Sequence, residues 1–316
     1  MKRTILFVCL ALGVVACGEA EEPVPERPSP TAQASAAPQT VTRTVTDMIG
    51  RTLSLPEQVM TVAALSPSAA DFATALGLQV VGRSSDTAAA AAPSASATGS
   101  ALSPDFNAVA ALAPDLVIGD AAYHSGRTRD FDQFGFPVFV VKANTYDEVL
   151  LALDALGAAT GRVDEAKAAR DEVVATAETA IGAASVRGAG SPPPRVLILT
   201  GGGRDVFGGG GASYLGSMVS SLGATNVLET SVEGGPVPGF GVVDVGQSAS
   251  LAPDVVLILS SGEGGLAARI KGHPSWAGTP AVRSGSVYEV DTALYLRAAG
   301  PRVGEAMEGL VPLLWR

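Results

Sequence analysis

Leu112-Ala113-Pro114-Asp115-Leu116-Val117 recurs as Leu251-Ala252-Pro253-Asp254-Val255-Val256, 139 residues further along a chain of 316. In each copy a helix-like stretch runs into the proline, and an apolar pair begins a strand behind it. Proline cannot continue a helix and pushes the residue before it toward extended backbone. Two copies so far apart predict two similarly built lobes rather than a short-period repeat array. Outward from these hexapeptides, short apolar runs alternate with amphipathic stretches, which predicts an α/β fold. Strands are expected at Val59–Ala64, Gln79–Gly82, Leu116–Ile118 and Val138–Val141, then at Arg195–Thr200, Val255–Leu259 and Val287–Val290. Ser66-Pro67-Ser68 starts a helix that Gly77 closes, and Ser213–Leu222, closed by Gly223, mirrors it in the second half.

A long helical connection separates the halves. Thr145 and Glu148 form a T-x-x-E capping box. Tyr146, Val149, Leu150, Leu153 and Leu156 recur at helical spacing up to Gly161. A second helix carries Val163, Ala166, Val173, Ala177 and Ile181 on one stripe. About 22 residues of helix span about 33 Å, enough to pass from lobe to lobe. The organisation read from the chain is therefore a leader (residues 1–16), a tether (17–40), an N-terminal α/β lobe (41–143), a helical linker (144–187) and a C-terminal α/β lobe (188–316).

The leader is an address. Lys2 and Arg3 precede an apolar run from Ile5 to Val15, too short to span a bilayer but right for export. Val14-Val15-Ala16-Cys17 resembles the lipobox of bacterial lipoproteins, which implies cleavage before Cys17 and lipid on its sulfur; an ordinary signal peptide with a chance cysteine is the other reading. Residues 18–40 hold five prolines and four acids with few large apolar groups, too little buriable surface to offset ordering, so a disordered tether is expected. Both cysteines, Cys9 and Cys17, lie in this region, which excludes a disulfide framework or thiol chemistry in the folded body. A net charge of −10 argues against nucleic-acid binding.

Taken together, the lipobox, the tether, the paired P-D-[LV]-V signatures and the helical link resemble the class III, helical-backbone substrate-binding proteins of bacterial ABC importers for iron–siderophore complexes, cobalamin or haem. The matching segments are Val45-Thr46-Asp47-Met48-Ile49-Gly50-Arg51, Ala64-Leu65-Ser66-Pro67-Ser68, Ala113-Pro114-Asp115-Leu116-Val117 and the tail Val287-Tyr288, Asp291 and Gly300-Pro301-Arg302-Val303. The resemblance implies two Rossmann-like lobes joined by a long backbone helix, with ligand in a cleft between them. It implies an extracytoplasmic, lipid-anchored monomeric receptor, in the periplasm or at the cell surface, that serves an ABC permease dimer and its ATPase. It also implies no catalysis and no resident cofactor.

Loops after strands should line such a cleft, as in open α/β sheets generally. Tyr123 and His124 then read as ligands to ferric iron or haem, as stacking partners for a large ring, or as members of a solvated loop. Arg127 could pair with a carboxylate, catecholate or propionate through its planar fork. Tyr295 and Arg297 occupy the corresponding rim of the second lobe, although Tyr295 could equally pack on the last helix. The glycine run Gly201–Gly203 to Gly208–Gly211 lacks the Lys-Ser/Thr of a phosphate loop. A pliable rim loop is expected there, offering Arg204, Phe207 and Tyr214, while Phe240, in Val237-Pro238-Gly239-Phe240, reads as an aromatic platform or as a turn plug. With two histidines, no multi-histidine metal cage can form, and no Gly-x-Ser-x-Gly elbow indicates a hydrolase. Two departures from the family stand out. Where members often carry permease-docking glutamates this chain has Asn107 and Gly246, with Asp105 and Asp244 two residues earlier as replacements or as helix caps. The segment Asp86–Ser103 has no aromatic residue, which disfavours haem. A surface scaffold of the same fold without transport is the alternative reading.

Overall fold

The two repeated hexapeptides open equivalent strands in the computed structural model, which describes residues 42–315 except 203–204, 229–231, 233 and 261–264. The leader, Cys17 and the tether lie outside the described residues, as does Arg204. Ala113 and Ala252 both adopt φ of +45°, a left-handed conformation that costs a non-glycine residue about 1 kcal/mol. The aspartate of each motif offsets this by stitching its strand to the next one. Asp115 N–H donates to the Thr61 carbonyl at 3.0 Å, and its Oδ2 accepts from Met60 N, Thr61 N and Thr61 Oγ1 at 2.8–3.0 Å. Asp254 repeats this on Arg195, N–H to carbonyl at 2.8 Å and Oδ2 from Arg195 N at 2.9 Å.

The N-terminal lobe begins with an antiparallel hairpin, β1 (Thr42–Thr46) and β2 (Thr52–Pro56), that periodicity alone did not reveal. Its turn is held by Asp47, whose carboxylate accepts from Ile49 N, Arg51 N and Arg51 Nε. Then follow β3 (Thr61–Ala64), α1 (Pro67–Ala75), β4 (Gln79–Arg83), β5 (Ser96–Ala97) and α2 (Phe106–Ala111). The lobe closes with β6 (Leu116–Asp120), α3 (Ala121–His124), α4 (Thr128–Phe134) and β7 (Val138–Val141). Five of these strands form a parallel sheet in the order β5-β4-β3-β6-β7. Ser66 caps α1 as its spacing predicts, its Oγ accepting from Ala69 N at 3.0 Å.

The connection is a helical hairpin, α5 (Tyr146–Thr160) and α6 (Val163–Gly188). Thr145 Oγ1 accepts from Glu148 N at 3.2 Å, but the Glu148 carboxylate accepts from Asn144 N rather than closing back on Thr145. Gly161, at φ +76°, ends α5. At 26 residues α6 is about 39 Å long. Its buried stripe holds Ala166, Val173, Ala177, Ala180 and Ala184, whereas Val163, expected on that stripe, is exposed at the first turn.

The C-terminal lobe comprises β8 (Arg195–Gly202), β9 (Asp205–Gly209), α7 (Tyr214–Ser221), β10 (Thr225–Asn226), β11 (Phe240–Val242), α8 (Val245–Ser248) and β12 (Val255–Ser260). It ends with α9 (Leu266–Gly272), α10 (Pro280–Ser284), β13 (Val287–Asp291) and α11 (Val303–Leu314). The sheet order is β11-β9-β8-β12-β13, with β10 beside β8. The glycine run expected as a rim loop is instead hairpin backbone: β8 and β9 pair antiparallel from Ile198–Gly209 to Gly202–Asp205. Arg195–Thr200 is the strand expected there; its extension through Gly201 and Gly202 and its partner β9 were not expected, because glycine has no side chain to alternate.

Alternation along the central strands builds the core, because successive side chains leave opposite faces of a sheet. Leu116 and Ile118 of β6, Val196 and Ile198 of β8, and Leu257 and Leu259 of β12 share one continuous cluster with α1, α5, α6, α7 and α11. Val117 faces a smaller cluster on the outer side of the first lobe, and Leu197, Leu199, Val256 and Ile258 face one on the outer side of the second. Both lobes and the helical connection therefore share one interior.

Candidate functional site

Strand β6 ends at Asp120 and the chain turns at once into α3, so Asp120 and Tyr123 project from the carboxyl edge of the first sheet. Tyr214 opens α7, and Phe240 opens β11, in the second lobe. These four side chains line one cavity between the lobes, together with Asn144 and Leu296, and it encloses about 30 Å³. That volume suits one or two water molecules. A direct contact closes the rim: Ser68 Oγ of α1 donates to the Ala299 carbonyl at 2.6 Å. Beneath it the Phe72 ring packs on Gly300, 3.4 Å from where a side chain would begin.

Burial sets the electrostatics. Desolvation lifts the Asp120 pKa to about 6, against the hydrogen bonds from Ala122 N and Ser66 Oγ. Desolvation also lifts Tyr123 to about 12, with Asp120 reinforcing and Arg297 opposing that shift. The Tyr214 hydroxyl is raised too, by burial first. Tyr214 is 4% exposed and Phe240 2%, so their ring faces form a wall rather than a flexible flap.

Three of the eight ligand-contact residues read from sequence thus meet in one cavity: Tyr123, Tyr214 and Phe240. Arg297 is exposed and does not line the cavity, although it is near enough to oppose the rise in the Tyr123 pKa. Three others point elsewhere. His124 is fully buried, its Nδ1 accepting from Asp120 N at 2.8 Å and its Nε2 at 2.9 Å from the Ala101 carbonyl, so both ring nitrogens are occupied by backbone. Arg127 lies on the outer rim, held by the Leu102 carbonyl, Asp130 and the Phe106 ring. Tyr295 packs its hydroxyl on Gly309 of α11, the second of the two placements its position allowed. Asp105 and Asp244 cap α2 and α8 through Oδ1, accepting from Ala108 N and Gln247 N at 3.0 and 2.7 Å, and both stay exposed. Asp120 and Asn144 were missed, although the end of a strand marked the place of Asp120. Among the described residues no three His, Cys, Asp or Glu side chains gather as a metal site.

This geometry, two sheets facing a cleft across a helical spine, can be compared with known proteins. The model of the periplasmic binding protein family matches residues 62–294, most of the chain. The chain belongs to that family. It is a binding-protein family of extracytoplasmic location, and its α/β architecture is the class III fold expected from the sequence. The Fe(3+)-citrate-binding protein YfmC of Bacillus subtilis (strain 168) is 24% identical over 205 residues, 64% of this chain and 61% of that protein. The match therefore spans less than two thirds of that relative's length. Among solved structures, the petrobactin-binding protein YclQ of Bacillus subtilis superposes with a TM-score of 0.72 at 17% identity, covering 87% of this chain and 99% of that one. Staphylococcus aureus IsdE complexed with heme gives 0.70 at 19% identity, covering 82% and 100%. At these identities the family member shares a fold with them.

Proposed function

We propose that this chain is an exported lipoprotein, anchored through Cys17, that captures a ferric chelate or a cobalamin between its lobes and delivers it to an ABC permease dimer and its ATPase. The observation that carries the reading is the interlobe cavity, walled by Tyr123 from one lobe and Tyr214 and Phe240 from the other. Aromatic faces on both sides of a cleft suit a bulky, partly apolar ligand with few polar anchors. The names of relatives that bind ferric citrate, petrobactin and heme support an iron-bearing ligand. With no aromatic residue in the segment 86–103, haem is not the ligand proposed.

A chelate is many times larger than 30 Å³, so entry requires the lobes to part. Opening breaks the Ser68–Ala299 contact and flexes the chain crossings around α6, while the shared interior limits its amplitude. In this reading Asp105 and Asp244 present carboxylates to arginines of the permease while still capping their helices, and the receptor works as a monomer. Uptake of iron-55-labelled chelates by cells with and without this chain tests the reading. Loss of uptake that returns with the wild-type gene is expected. Undiminished uptake overturns the transport role and favours the scaffold reading that Asn107 and Gly246 raise. A Cys17→Ser variant should leave the membrane fraction; retention there contradicts the anchor.

A further inference from the structure

We propose that Asp120 determines the specificity of the cleft, selecting chelates that present a cationic or hydrogen-bond-donating group to its floor and rejecting polyanionic chelates of the ferric citrate type. The inference rests on the ferric-chelate reading above and sharpens it. Asp120 is 8% exposed and lines the cavity. Its Oδ1 accepts from Ala122 N at 2.9 Å and its Oδ2 from Ser66 Oγ at a long 3.3 Å. Among the described residues it has no ion-pair partner, and no lysine or arginine lines the cavity.

A buried carboxylate with only neutral donors around it is incompletely compensated. A ligand ammonium would complete it, and a second anion would meet repulsion with little water to screen it. The nearby cations do not reverse this. Arg127 is engaged outside the cleft by Asp130 and the Leu102 carbonyl, and Arg297 is exposed and does not line the cavity. Asp86, near enough to raise the Tyr123 pKa, adds negative potential at the same rim. The groups facing Asp120 are thus Ser66 from the start of α1, Tyr123 and His124 from α3, and Tyr214 from the second lobe, and none is cationic at neutral pH. A pKa raised to about 6 keeps the carboxylate charged at pH 7.5 and neutral at pH 5.

The test is calorimetry on the mature protein and on Asp120→Asn, which keeps a capping side chain for α3. Three ferric probes differ in charge: ferric citrate, a neutral trihydroxamate chelate, and a trihydroxamate chelate with a free ammonium. The ammonium probe should bind at least about tenfold tighter than the neutral one at pH 7.5, the preference falling away at pH 5. Asp120→Asn should shrink the preference to within about twofold and improve ferric citrate binding. Tightest binding to ferric citrate, or a charge preference unchanged in Asp120→Asn, overturns the inference alone. Since the wild-type series already ranks the probes, a poorly folding variant would not rescue it. Binding of none of the three defeats the ferric-chelate reading, and this inference with it.

Discussion

His124 holds a neutral ring between two backbone groups. Because Nδ1 accepts from the Asp120 N–H, the ring proton sits on Nε2 and is donated to the Ala101 carbonyl, tying the segment 86–103 to the end of β6. Burial, with Arg127 nearby, holds its pKa down at about 4, from 6.5 for a free side chain. The unfolded chain therefore takes up this proton first as pH falls. Stability from this group is complete above pH 6.5 and declines between pH 6.5 and 4, by up to about 3 kcal/mol. His124→Phe abolishes the titration but orphans two backbone groups, at a cost of about 2–4 kcal/mol at pH 7.5. Urea titrations should show the deficit narrowing toward pH 4.5; a deficit constant with pH contradicts the buried neutral ring.

Asp71 in α1 has the opposite sign. Its Oδ2 is buried without a hydrogen-bond partner, and desolvation lifts its pKa to about 6, with Arg302 tempering the shift. The folded state binds the proton more strongly than the unfolded one, so the penalty is full above pH 6 and disappears as pH falls toward 3.8. Asp71→Asn should stabilise the protein at pH 7.5 by about 1 kcal/mol, a figure reduced for the partial exposure of the site, and by nothing near pH 4. A thermal melt series across that range reads both limits. Neither role was legible in sequence. His124 sits in a stretch read as facing the cleft, but its place depends on Ala101, 23 residues away across a loop without periodicity.

At the scale of elements, α6 is a spine because its neighbours come unusually close. Gly157 of α5 lies where any side chain would collide with the Ala166 Cβ, and at Gly304 of α11 a Cβ would lie 2.6 Å from that of Thr176. Gly304→Ala gains helix propensity of about 1 kcal/mol but forces the helices apart, at about 1–3 kcal/mol. A net loss of up to about 2 kcal/mol in urea titration is expected; a stabilising result contradicts close packing of α6 on α11. The stripe on α6 was readable because alanine and valine keep helical period over about five turns. The P-D motif was readable as a strand start because proline acts locally. Its deeper role, an aspartate fastening the next strand, was not, since Thr61 and Arg195 lie 54 and 59 residues away. Of the β8–β9 hairpin, Arg195–Thr200 was readable as a strand, and the glycine-bearing end of β8 and β9 were not.

At the scale of the molecule, the lobes meet through Ser68 and Ala299 and through Phe72 on Gly300, and the helical connection joins the second lobe through Tyr146 N–H donating to Ser217 Oγ at 3.2 Å. Two lobes, a helical connection and the approximate place of the cleft were all legible, because they follow from a repeated motif and from long-range hydrophobic pattern. Tyr123, Tyr214 and Phe240 were each candidates in the sequence, but that these three meet and Tyr295 does not was not legible, because the closure of two sheets brings them together. With Tyr123 half-buried at the wall, truncating it removes ring contact while leaving the shared core intact. Calorimetric titration of the mature protein and of Tyr123→Ala with ferric chelates therefore tests the central claim most directly. One chelate per chain, with a Kd of about 1 μM or tighter and a loss of at least about tenfold in Tyr123→Ala, is the expected result. Absence of binding to any chelate, or binding that Tyr123→Ala leaves unchanged, would contradict capture between the lobes.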